Sequence, residues 1–186
     1  MRIRISSILF IAIAGLFTQS LSAQQFTPPS EGFTVWLNGK PTPQTRTGDT
    51  SFGKLTIKVY LVTTQNGAHG VSVNQYPFAT EEPDKIEASL DAGIASLISG
   101  RKAKKISEKP VTLGGHNGKE VYFSFAGGVG RVKVFLVKYN LYQIIALGTS
   151  PYVNSASTKK VFDSFNFTQG NVGEKWTTFT SNTSGF

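Results

Sequence analysis

The strongest constraint on this chain lies between residues 110 and 148, where apolar runs at 120–126, 131–138 and 141–148 are separated by short breaks carrying Gly or Asn. Runs of this length bounded by turn residues predict antiparallel strands that follow one another as a meander. In the first, Val121, Phe123 and Phe125 alternate with Glu120, Tyr122 and Ser124. In the second, Val132, Val134 and Leu136 alternate with Arg131, Lys133 and Phe135. The third sets Leu141, Gln143, Ile145 and Leu147 against Tyr142, Ile144 and Ala146, so both faces are largely apolar. A strand apolar on both faces belongs at the centre of a sheet. The rest of the chain is expected to pack on this wall.

Upstream, GFTVWL at 32–37 has strand composition, and the polar stretch 44–51 reads as a loop. Over 54–64, Leu55, Ile57, Val59 and Leu61 alternate with Thr56, Lys58, Tyr60 and Val62, which predicts a strand with one buried face. QNGAHG at 65–70 reads as a hairpin loop, and 71–76 as the returning strand. The period then changes. Ile86, Leu90, Ile94, Leu97 and Ile98 form one stripe of a helix over 81–99, with Thr80 as its N-cap and Gly100 just past its end. Residues 104–113 predict an extended segment, with Pro110 placing it at an edge or a bulge. A second helix is predicted from 154 or 155 to 165, with Val161, Phe162 and Phe165 on one face. The fold class is therefore α+β, an antiparallel meander with two main helices packed on it.

At the N-terminus, Arg2 and Arg4 precede an apolar stretch from Ile8 to Phe17 and a small-residue ending LSA, the pattern of a secretory leader cleaved after Ala23. Its apolar core falls short of the roughly 20 residues that span a bilayer. The expected organisation is a signal peptide at 1–23, a linker at 24–31, one domain at 32–168 and a flexible tail at 169–186. The mature chain is expected to be a soluble monomer, periplasmic or extracellular, with no transmembrane segment. Cleavage removes two arginines and no acid, so the formal charge falls from +8 to +6. Cysteine is absent, which excludes disulfides and thiolate-held metals.

No HExxH, G-x-S-x-G or phosphate loop occurs, and GGVG at 127–130 lacks the Lys-Ser/Thr of such a loop. His69 and His116 both sit in Gly- and Asn-rich stretches and read as exposed turn histidines. No cofactor or metal is expected. The candidate contact surface is the basic group Arg101, Lys102, Lys104, Lys105 and Lys109, which suits an anionic envelope component or an acidic protein. Lysines there also fit a helix end and a protected edge strand. Nucleic acid is not expected, since no aromatic is interleaved with the cluster.

The order of elements resembles the PsbP-like family, the oxygen-evolving accessory protein and its bacterial exported relatives. The residues that carry the resemblance are Gly32, Gly115, Gly118, Glu120, Tyr142, Phe162, Ser164 and Phe165, within 32–168. The resemblance implies an α/β/α sandwich and an accessory or assembly-factor role rather than catalysis. It carries over no binding residue. The leading expectation is an exported, non-enzymatic binding or accessory protein of the cell envelope. A second reading is a small-ligand carrier with an aromatic-lined pocket between sheet and helix, built from Tyr122, Phe123, Phe125, Phe135, Tyr139 and Tyr142. A third is a hydrolytic enzyme using Glu120 and His116.

Overall fold

The computed structural model describes residues 23–50 and 53–176; the expected leader, apart from Ala23, and residues 177–186 of the expected tail lie outside them. In chain order the elements are β1 (Ala23–Phe26), β2 (Phe33–Asn38), β3 (Thr42–Thr50), β4 (Gly53–Thr64), β5 (Gly67–Thr80), α1 (Pro83–Ser99), β6 (Lys104–Leu113), β7 (His116–Phe125), β8 (Gly128–Gly148), α2 (Ser150–Val153), α3 (Ala156–Ser164) and β9 (Asn166–Phe167). Six strands form the main sheet in the order β3-β4-β5-β8-β7-β6, every neighbouring pair antiparallel. The protein is an α+β fold dominated by this antiparallel sheet.

The sheet is two three-stranded meanders joined side by side through β5 and β8, and here the structure departs from the expected single meander. The second and third apolar runs are one strand of 21 residues. Its first half pairs with β7 and its second half with β5. The break at Lys138–Asn140 is a bulge, not a turn. Lys138 takes φ 49°, and the register against β5 jumps between Gln75 and Thr80. The bulge reverses the alternation. Val132, Val134 and Leu136 share a core with Leu141 and Ile145, so even numbers face α1 before it and odd numbers after it. Asn140 explains why the chain does not turn there: its side chain is fully buried and bonded to Gln75, Tyr142 and the Glu174 carbonyl.

One core lies between the sheet and α1, built on Leu90, Ile94, Val121, Phe123, Val134 and Leu141. The larger core lies on the other face, where β2, α2 and α3 cover Tyr60, Val62, Val71, Val73, Tyr142 and Ile144. A small second sheet, in the order β1-β2-β9, belongs to that face. Both main helices predicted from the sequence are present. Ser155 caps α3 by accepting from the Thr158 amide at 3.2 Å. At α1 the caps differ from expectation. Glu82 takes the N-cap position ahead of Pro83, Thr80 ends β5, and Gly100 stays right-handed while Lys102 carries the positive φ.

Three stretches expected to be irregular are ordered. The first three residues of the expected linker belong to β1, because pairing with β2 runs from Ala23 to Phe26 and ends before the proline pair. The polar stretch 44–51 lies largely in β3, an edge strand that tolerates Pro43 and exposed side chains. Residues 169–176 of the expected tail lie against the sheet: Gly173 donates to the Tyr142 hydroxyl at 3.0 Å, and the Trp176 amide donates to Gln75.

Candidate functional site

On β4 the side chains facing α2 and α3 are buried at Tyr60 and Val62, whereas Leu55, Ile57, Val59 and Leu61 on the opposite side stay half-exposed. The sequence predicts one buried face on this strand without choosing between the two rows; the structure buries the Tyr60 and Val62 row more completely, because α1 lies chiefly over β7 and β8. Leu90 and Ile94 pack the helix there onto Val121, Phe123 and Leu141, and ion pairs rim the contact. Lys119 of β7 bonds Glu87 of α1 at 2.6 Å and also pairs with Asp91 of the same helix. Burial would pull the Lys119 pKa down, but its hydrogen bonds to Asp91 and Glu87 outweigh it and hold the pKa raised.

Between the helix flank and the uncovered strands runs a groove of about 380 Å³. Leu55, Ile57, Val59 and Leu61 form one wall, and Ala92, Gly93, Ser96, Leu97 and Arg101 the other. Ser72, Asn74 and Gln143 lie along its floor, with Ile145 and Leu147 beyond. Gly93 lets the helix approach closely: a Cβ there would stand 2.8 Å from the Leu141 side chain. Two polar groups face the open side of the groove, and among the described residues Trp176 Nε1 alone is a buried side-chain polar atom without a partner. Gln143 is nine-tenths buried, yet its side chain has no hydrogen-bond partner among the described residues. Arg101 donates from Nη1 to the Leu97 carbonyl at 3.4 Å and has no carboxylate partner among the described residues. The residue is exposed overall, but desolvation of its guanidinium lowers the pKa.

The basic group named from the sequence is divided by the fold. Arg101 lines the groove, and Lys102 sits in the turn after α1. Cross-strand pairing puts Lys105 opposite Phe123, on the α1 side, where it bonds Glu108 at 2.6 Å. Lys104 and Lys109 pair with Ser124 and Glu120 and so face the other side. Lys109 reaches Glu120 at 3.7 Å. The five residues therefore do not share one surface.

The aromatic residues are divided in the same way. Phe135 and Tyr142 are in the core against β2 and α3, and Phe123 is in the core against α1. The groove is aliphatic, with Tyr76 the one aromatic among its lining residues. His69 is not a turn residue. The hairpin closes tightly at 65–66, so Gly67–Gly70 continue the ladder and His69 is 1% exposed. Its Nε2 accepts from the Asn38 amide at 3.4 Å and its Nδ1 lies 2.6 Å from the Tyr152 hydroxyl. His116 and Glu120 are separated by four residues along β7, about 13 Å at a strand's rise. The His116 ring meets Phe167 edge-on, while Glu120 accepts from Arg131 Nε at 2.7 Å. Among the described residues no group of three or more His, Asp or Glu side chains stands where it would hold a metal.

Sequence reasoning named Arg101 but missed Gln143 as a site residue. Its one available signal was an amide in an otherwise apolar row of the central strand.

No family model and no curated protein matches the sequence. Among solved structures, the solution structure of cyanobacterial PsbP (CyanoP) from Synechocystis sp. PCC 6803 matches with a TM-score of 0.56 at 9% identity. The match covers 81% of this chain and 95% of that one. Identity this low speaks to fold alone, and on that ground the chain has a PsbP-like fold.

Proposed function

We propose that this chain is an exported, non-enzymatic accessory protein of the cell envelope that acts as a monomer by binding, with the groove beside α1 as its binding surface. The observation that carries this reading is the half-exposed row Leu55, Ile57, Val59 and Leu61, left without a helix over it. Contiguous apolar surface rimmed by polar residues marks interaction sites, and few single-domain proteins leave it uncovered without a use. The leader pattern supports export. The PsbP-like fold agrees with the accessory role that the resemblance implies. Among the described residues no helix is long and apolar enough to cross a membrane.

The test is binding of the apolar fluorophore N-phenyl-1-naphthylamine to the purified chain and to Ile57→Asp. Ile57 is half-exposed, so a carboxylate there is compatible with folding. Saturable binding lost in Ile57→Asp, with an unchanged circular dichroism spectrum, is expected. Equal binding by both proteins removes the groove from the proposal. A second reading is contact with an anionic envelope component through residues 101–109. It is favoured by Lys102 and Lys104, which form no ion pair among the described residues.

A further inference from the structure

The groove has a direction. Gly93 stands over Leu141 and Gln143, and Ile86 lies beside Leu136, so α1 runs alongside β8 in the same sense. The six helix steps from Gly93 to Ser99 rise about 9 Å, and the turn after them carries Arg101 further the same way, toward the Leu147 end of β8. The Arg101 side chain folds back to the Leu97 carbonyl, one turn closer to Gln143. Gln143 stands across Ser72 from Val59, so along the row it lies inward of Leu61 and of the Arg101 end. From there the β4 row leads away past Val59 and Ile57 to Leu55 and Tyr76 with no charged residue among the lining side chains.

The dimensions select one chain. From Leu61 to Leu55 the row extends about 20 Å at a strand's rise. One leaflet of a bilayer is about 15 Å of hydrocarbon, half of the roughly 30 Å core. A volume of about 380 Å³ is near the lower end of ligand sites, which span about 300–1,000 Å³. A guanidinium recognises a planar carboxylate through two parallel hydrogen bonds.

Building on the proposed binding role, we infer that the groove holds a single-chain anionic amphiphile of the long-chain carboxylate type. Its tail lies along Leu61, Val59, Ile57 and Leu55, and its carboxylate meets Arg101 at the Leu61 end of the row. The apolar row supplies most of the affinity, and Arg101 supplies the choice of charge.

Calorimetric titration of the purified full chain with dodecanoate and with dodecyltrimethylammonium, both below micelle formation, separates the ideas. Dodecanoate should bind about tenfold more tightly than the cation, the size of one charge-assisted contact. Arg101→Gln should abolish that preference while still binding both, and Ile57→Asp should bind neither. Equal affinities in the unaltered protein, or a preference that survives in Arg101→Gln, overturn the carboxylate assignment and leave the apolar groove standing. Failure of the unaltered protein to bind either amphiphile or the naphthylamine probe overturns both.

Discussion

Glu31 and Lys58 form an ion pair of 2.5 Å that ties the turn before β2 to the middle of β4, with Glu31 2% exposed and Lys58 22%. The pair lies on the side of β4 opposite the groove. Lys58 Nζ also stands 3.9 Å from the centre of the Trp176 ring, so one lysine joins three separate segments. Removing one member of a buried pair leaves the other charge uncompensated, and the cost falls on whichever cannot reach water. Lys58→Met should therefore destabilise by about 3 kcal/mol and Glu31→Gln by less, because Lys58 retains solvent access. Urea unfolding of both single variants and the double variant measures this. A double variant no less stable than Lys58→Met confirms the coupling.

The residues after β9 bear on stability in a way their composition hides. The Glu174 carbonyl accepts from both Asn140 and Gln75, and Lys138 bonds the Glu174 carboxylate at 2.7 Å. Ending the chain at Thr168 takes the Glu174 carbonyl from a fully buried Asn140 and from Gln75, and the carboxylate from Lys138. Expected is a loss of about 3 kcal/mol, or about 6–12 °C in Tm, read by calorimetry.

Gly32 is where that segment crosses the chain. It holds φ 71°, and a Cβ there would lie 2.5 Å from the Asn171 carbonyl oxygen. Gly32→Ala should cost about 2–4 kcal/mol in the full chain, from the left-handed backbone and the clash together. In the chain ended at Thr168 only the backbone contribution remains, so the cost should fall to about 1–2 kcal/mol. Equal costs in the two backgrounds would show that the crossing is not the reason for glycine.

His69 makes stability depend on pH. Burial lowers its pKa below the model-peptide value of 6.5. The unfolded chain therefore takes up a proton below about pH 6.5 that the folded protein refuses, and stability drops as pH falls through that window. Above pH 6.5 the contribution is fully present. One such proton limits the slope to about 1.4 kcal/mol per pH unit. Urea midpoints at pH 7.5 and 5.5 should differ in the unaltered protein and converge in His69→Gln. Glu108 and Asp163, whose pKa values are lowered first by hydrogen bonds to Lys105 and Lys159, act only below their ordinary range near pH 4.

Alternation and helical spacing alone identified α1, α3, β7 and the two-faced second half of β8, because a period of 2 or 3.6 is a local property of the chain. The candidate site was only partly legible. The row Leu55, Ile57, Val59 and Leu61 was visible, but Tyr60 and Val62 make the opposite face of β4 apolar as well. Which face is covered depends on where α1 lies, and that is decided by Leu90 and Ile94 packing onto Val121, Phe123 and Leu141 of other strands, with Lys119 pairing Glu87 and Asp91 at the rim. The apolar runs at 131–138 and 141–148 were also plain in sequence. Whether Tyr139 and Asn140 turn the chain or bulge it was decided by Gln75 and Glu174, distant residues that satisfy the buried Asn140 amide. In each case the sequence by itself determined the strands and helices, and contacts between residues far apart in the chain decided which faces were covered and where a groove stayed open.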